Sequence, residues 1–284
     1  MKLLRDVSFG VSSVGNKEAL LLCLSSVLNA SSVPARIQVR LEGQIPGFTC
    51  FYLEQIAEFA RFQGVEFSLT VVKSKGIRCA RDWHLDSCRT DYLWMGDDDV
   101  VYAYDCLDYL VEGMSSLLLK TKTTKDSDSI AYVCGSKGDL NNRRGYADFD
   151  TRIHGPEDIA DNCPFHWFYD SKLCAGKIVN VCTMDTGNAL FDISTIRKHG
   201  LRFYSMKDSY NSGGEDTLFA MECANLKLKG FFVPSAKAYH LEKEKLNFNE
   251  FDARKEMIVR VAELRKFRPD VIANVRKVFM PLTA

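Results

Sequence analysis

The first hundred residues alternate between two hydrophobic periods, and that alternation restricts the chain to very few folds. Val7-Ser8-Phe9-Gly10-Val11-Ser12 carries the period-2 pattern of a strand. Asn16 then stands as an N-cap before Ala19, Leu20, Cys23, Leu24, Val27 and Leu28, which recur at helical spacing. Ile37, Val39 and Leu41 alternate with polar neighbours as a second strand. A second amphipathic helix spans 52–62, with Leu53, Ile56, Phe59 and Ala60 on one side. A third strand at 65–72, a short helix at 80–88 and a buried strand at 92–95 complete the series. Strand and helix in this order predict an α/β fold with a mostly parallel central sheet and helices on both faces. Such sheets bind ligands outside the carboxyl ends of their strands, where the strand order reverses. That rule directs attention to Ser12-Ser13-Val14, Glu42-Gly43 and Asp97-Asp98-Asp99.

The second half is less regular. Strands are predicted at 178–182, 189–191 and 231–233, with a helix over 215–228 between the last two. Residues 136–176 mix Gly, Asn, Arg and aromatic residues without a period, and a segment of that length in a compact protein is often functional. From Asn249 to about Phe279 the pattern is helical, interrupted by Pro269.

Composition removes several function classes. Lysine and arginine total 37 and aspartate and glutamate total 37, so the overall charge gives no reason to expect broad phosphate-backbone binding. The start has no charged leader followed by an apolar core, and apolar runs fall well short of the roughly 20 residues that span a bilayer. A soluble, cytoplasmic chain is expected, without an integral membrane segment. The 10 cysteines are scattered, several on apolar faces and none in a Cys-x-x-Cys pair, which points to free buried thiols. Cys163, His166, Cys174 and Cys182 offer four soft zinc ligands, but their spacing fits no common zinc module. Trp167, Phe168 and Tyr169 read as core before they read as a sugar-stacking platform. The basic residues beyond Asp252 read as a solvated helix face, with a polyanionic acceptor or membrane surface as the alternative.

The sharpest feature is Asp97-Asp98-Asp99 after the buried strand. Three adjacent carboxylates repel one another, and a hard divalent cation at a strand end can hold them. A solvated acidic turn is the plainer alternative. Around the triplet stand Gly76-Ile77-Arg78-Cys79-Ala80-Arg81-Asp82 upstream, Gly213-Gly214-Glu215-Asp216 downstream, and then His240. This ordered series, over roughly residues 6 to 241, resembles the GT-A glycosyltransferases, particularly the inverting family 2 enzymes that use nucleotide-sugar donors.

The resemblance implies a role for each matching residue. Asp99 corresponds to the metal-binding carboxylate of the Asp-x-Asp motif and His240 to the late histidine ligand, suiting Mn2+ or Mg2+. Asp97 and Asp98 fall on the donor side, and Arg81 would reach the diphosphate. Ser12 and Ser13 would line the base pocket, and Glu42 stands where the family commonly has Asp, touching uracil or ribose. Asp216 would be the general base for an acceptor hydroxyl, with Glu215 orienting the acceptor. Met184-Asp185-Thr186-Gly187-Asn188 is a second cleft candidate, with Gly187 and Asn188 on the donor and Asp185 on the acceptor. A turn before the strand at 189–191 is its plainer reading. The expected organisation is a catalytic domain over 1–248, with a nucleotide-binding half to about 110 and an acceptor half over 111–248. A helical extension covers 249–284.

The implied reaction moves a sugar from a nucleotide sugar, most simply a UDP-sugar, to an acceptor hydroxyl with inversion. A saccharide or a hydroxymethylated base in viral DNA is an acceptor the family admits. Two alternatives stay open at this point. A nucleotidyltransferase would use the same sheet and cation, although Ser12 to Lys17 poorly matches its phosphate loop. A non-catalytic module of the same fold would bind the nucleotide sugar without turnover.

Overall fold

The computed structural model describes residues 2–13, 17–43, 47–73, 76–123, 130–139, 177–181, 184–203 and 215–241. The alternation of the first half is realised as β1 (Lys2–Ser13), α1 (Lys17–Leu28), β2 (Ser32–Glu42), α2 (Gly47–Phe62), β3 (Glu66–Val72), α3 (Ile77–Ser87) and β4 (Tyr92–Asp97). There follow β5 (Val100–Tyr102), α4 (Cys106–Thr123), β6 (Ile130–Asp139), β7 (Val179–Val181) and β8 (Asn188–Asp192). The described chain ends with α5 (Ile193–Lys198), α6 (Glu215–Asn225) and β9 (Lys229–His240).

All nine described strands join one sheet in the order β3-β2-β1-β4-β8-β6-β9-β5, with β7 also pairing β9. Pairing is parallel through β3-β2-β1-β4. Beyond β4 it is mixed: β8 is antiparallel to β4 and β6, β6 and β9 run parallel, and β5 and β7 are antiparallel to β9. The long strand β9 gives one edge to β6 and divides the other between β7 and β5. The ladder with β6 slips between Gly135 and Ser136, opposite Pro234, which has no N–H to contribute.

Alternation along the strands feeds two cores. Phe9, Val11, Ile37, Val39 and Trp94 face α1, α2 and α4 on one side of the sheet. Leu93, Met95, Ala189 and Phe191 face α3, α5 and α6 on the other. Helices therefore cover both faces, as the sequence predicts. Every apolar position assigned to α1 is buried, whereas in α2 Phe59 is 42% exposed and Ala57 takes the inward place beside Leu53 and Ala60. Asn16, the zinc candidates, the aromatic run at 167–169 and the C-terminal helical pattern lie outside the described residues. No described helix is long and apolar enough to cross a membrane, and the seven described cysteines are free thiols.

On the α3 side, β1 and β2 are not apolar. Ser8, Gly10, Ser12, Gln38 and Arg40 occupy the alternate positions there, and most are buried. Polar residues are expensive to bury without partners; here Thr90 donates to Ser8, Glu42 pairs with Arg40, and His84 of α3 meets both Gln38 and Ser12.

Candidate active site

β1 pairs with β2 on one side and β4 on the other, so the strand order reverses between β1 and β4. Ser12 lies opposite Asp97 in the β1–β4 register. The acidic triplet thus sits at the topological switch point, where an open α/β sheet leaves a crevice.

Its three carboxylates face different partners. Asp97 Oδ1 lies 3.4 Å from Arg81 Nη2, and Asp97 Oδ2 lies 3.4 Å from Lys137 Nζ. Asp98 Oδ2 accepts a hydrogen bond from the Ser13 hydroxyl at 2.5 Å. Asp99 Oδ2 lies 3.4 Å from His240 Nε2. The last contact follows from strand pairing: Val100 pairs with His240, and the Leu241 N–H donates to the Asp99 carbonyl at 2.7 Å. The β4–β5 turn is therefore fastened to the end of β9, far away in sequence. Spreading charge over separate partners relieves the repulsion among neighbouring carboxylates.

A chain of alternating charges extends from Asp97 in both directions. Arg81 on α3 also pairs with Glu215 in the first turn of α6, at 3.1 Å. Lys137 on β6 also pairs with Asp185 at 2.7 Å. Burial alone would depress the Arg81 guanidinium, but Glu215, Asp97, Asp216 and Asp185 raise it overall. Burial likewise opposes charge on Lys137, and Asp185 and Asp97 outweigh it, so the ammonium is held strongly protonated. Burial would raise the Asp185 carboxyl, but Lys137 and the Gly187 N–H bring it below its ordinary value. That N–H donates to Asp185 Oδ1 at 2.8 Å.

Gly187 is required by this packing. A Cβ there would lie 2.5 Å from Asp97 Oδ2 and 3.0 Å from Lys137 Nζ. The close approach anticipated for Gly187 is thus made, among the described residues, to the charge network. Asn188 is wholly buried, and its amide is spent inside the protein. Oδ1 accepts from Trp94 Nε1 at 3.3 Å and Cys106 Sγ at 3.4 Å, while Nδ2 donates to the Ser136 and Ala236 carbonyls. Glu42 is also turned inward, 2.9 Å from Arg40 Nη2. Asn188 thus has its amide spent within the protein and Glu42 is paired with Arg40, while Asp97, Asp98, Asp99, Arg81, Asp185, Glu215 and His240 are linked to one another or to neighbours at the switch point, with Asp216 beside Glu215. Lys137 belongs with them. Sequence reading missed it because β6 runs into a segment without a recognisable period.

A divalent cation fits the Asp99–His240 pair. The two donors are 3.4 Å apart, and a carboxylate oxygen with an imidazole nitrogen is a donor set that would suit a divalent cation. Among the described residues no group of three or more His, Cys, Asp or Glu would enclose a metal. An ion held by two protein donors keeps positions for phosphate oxygens and water, as Mg2+ and related ions commonly do.

No protein-family profile matches the chain, and no curated protein matches it in sequence. Its architecture does have solved counterparts. One is a mannosyltransferase, PcManGT from Pyrobaculum calidifontis, solved in complex with GDP-Man and Mn2+. The TM-score is 0.58 over 97% of this chain and 74% of that one, at 12% identity. The fold is GT-A-like. At that identity the likeness speaks for the fold alone, and the GT-A-like sheet supplies the frame in which the crevice residues are placed.

Proposed function

We propose that the chain is a metal-dependent glycosyltransferase that moves a sugar from a nucleoside-diphosphate sugar to an acceptor hydroxyl with inversion. The observation that carries this reading is convergence at the switch point. Asp99 meets His240, and Asp97 is joined through Arg81 to the start of α6, which holds Asp216. The GDP-Man and Mn2+ in the mannosyltransferase of the same fold favour a nucleotide-sugar donor and a divalent ion.

Asp99 and His240 would hold Mn2+ or Mg2+, which as a Lewis acid stabilises a departing diphosphate. The protein's residues supply the rest. Asp216, half-buried at the first turn of α6, accepts the proton of the acceptor hydroxyl. The oxygen so freed forms its bond to the anomeric carbon as the bond from that carbon to the diphosphate oxygen breaks. Attack from the face opposite the leaving group inverts the anomeric centre, through an oxocarbenium-like state. Arg81 and Lys137 pair with Asp97 at the donor end, and Glu215 and Asp185 stand on the acceptor side. UDP- and GDP-sugars are the donors to try first. A saccharide or a hydroxymethylated DNA base is the acceptor class carried over from the family resemblance.

The test needs no acceptor. UDP- and GDP-sugars are screened for Mn2+-dependent release of the nucleoside diphosphate, because slow attack by water reports the donor reaction. Release with at least one donor is expected, and in Asp216→Asn it should fall roughly 100-fold or more while nucleotide binding persists. Full activity in that variant would remove the base assignment. No release and no nucleotide binding with any donor would remove the proposal.

A further inference from the structure

The polar face of β1 and β2 contains a hydrogen-bond relay whose direction is fixed by its first link. Gln38 Nε2 lies 3.0 Å from the His84 carbonyl oxygen and 3.2 Å from His84 Nδ1. A carbonyl oxygen only accepts, so the amide must present its NH2 group there. The second amide hydrogen then meets Nδ1, which must carry the lone pair. His84 is 1% exposed, its ring lies against Gly10 so closely that a Cβ there would be 2.8 Å from Nδ1, and α3 holds it over the sheet. Burial, with the nearby Arg40 charge, lowers its pKa to about 3 against the opposing pull of a hydrogen bond to the Val11 backbone, so the ring is neutral at ordinary pH. A neutral ring with a bare Nδ1 carries its proton on Nε2. Nε2 lies 2.8 Å from Ser12 Oγ.

Ser12 Oγ therefore accepts from His84, and its own hydrogen must be donated elsewhere. Among the described residues the Ser12 side chain makes no hydrogen bond other than the one to His84. It is half-buried at the carboxyl end of β1, opposite Asp97 on β4 and Arg40 on β2. Arg40 is 2% exposed, and its Nε and Nη1 have no hydrogen-bond partner among the described residues. This corner of the crevice is rich in donors.

We infer that the Gln38–His84 relay fixes the Ser12 hydroxyl as a hydrogen-bond donor, so that the part of the bound nucleotide facing Ser12 is an acceptor oxygen or nitrogen. The inference rests on the nucleotide-sugar reading and deepens it by naming the polarity of one contact. His84 and Gln38 act as positioning residues, and Ser12 makes the contact.

Two measurements on the full chain test it. The first reads the His84 tautomer by 15N–1H NMR at neutral pH, with the resonance assigned by its loss in His84→Gln. A pyrrole-like Nε2 and a pyridine-like Nδ1 are expected, and a proton on Nδ1 would overturn the relay. The second titrates UDP and GDP in the presence of Mn2+ into the parent and Ser12→Ala. Loss of one hydrogen bond should weaken binding roughly three- to tenfold. Unchanged affinity in Ser12→Ala beside a parent that binds would sink this inference and leave the nucleotide-sugar reading intact. A parent that binds neither nucleotide would sink both.

Discussion

At the scale of single residues, the site is organised by where each charge finds its opposite. Asp97 lies between two cations, Arg81 and Lys137, while Asp99 faces an imidazole and Asp98 a hydroxyl. Lys137 pairs with two carboxylates at once, so Lys137→Met should leave both short of a partner. With a fifth of its side chain exposed, the expected loss is about 1–3 kcal/mol, below the cost of breaking a fully buried pair. Urea unfolding of the variant measures it, and a midpoint equal to the parent's would contradict it. Gly187→Ala should cost a similar ~1–3 kcal/mol, because the added methyl meets a carboxylate and an ammonium with little room to retreat. A thermal melt unchanged by that substitution would contradict the close packing.

At the scale of elements, α3 does most to shape the crevice. It supplies Arg81 to the charge network and His84 to the polar face of the sheet. Because His84 is buried neutral, its folded pKa of about 3 lies below the ordinary value of 6.5. Below pH 6.5 the unfolded chain binds a proton that the folded chain refuses, so this stability is full above 6.5 and is lost progressively toward pH 3. At pH 5 the loss is ~2 kcal/mol from this group alone. Urea unfolding at pH 7.5 and 5 measures the difference, which should shrink in His84→Gln; an equal pH effect in parent and variant would contradict the assignment. The elements of the first half were legible because their periods are clean: α1 buries the six apolar positions read from spacing. Phe59 misled because a helix face wider than its sheet contact leaves a rim exposed. β6 was not legible, since Ile130 to Cys134 is apolar and the strand then turns polar as Ser136 and Lys137 enter the site. Asn188 and Glu42 were read as ligand contacts, and the partners they have within the protein, Trp94, Cys106 and Ala236 for Asn188 and Arg40 for Glu42, depend on side-chain direction that spacing along the chain does not give.

At the scale of the whole molecule, one sheet brings distant segments to one end. The parallel order β3-β2-β1-β4 opens a crevice at its reversal, and the mixed strands beyond it return β9 so that His240 closes against Asp99. The order of motifs along the chain carried that arrangement better than any one motif did, since strand pairing turns order into proximity. The central claim is that Asp99 and His240 together hold a divalent ion in the presence of a nucleoside diphosphate. Its most direct test is Mn2+ uptake measured by electron paramagnetic resonance, with and without UDP or GDP, for the parent, Asp99→Asn and His240→Ala. The account predicts nucleotide-enhanced Mn2+ binding in the parent and loss of roughly tenfold or more in affinity in each variant. Binding that is equally strong in all three proteins, or absent from the parent, would contradict it.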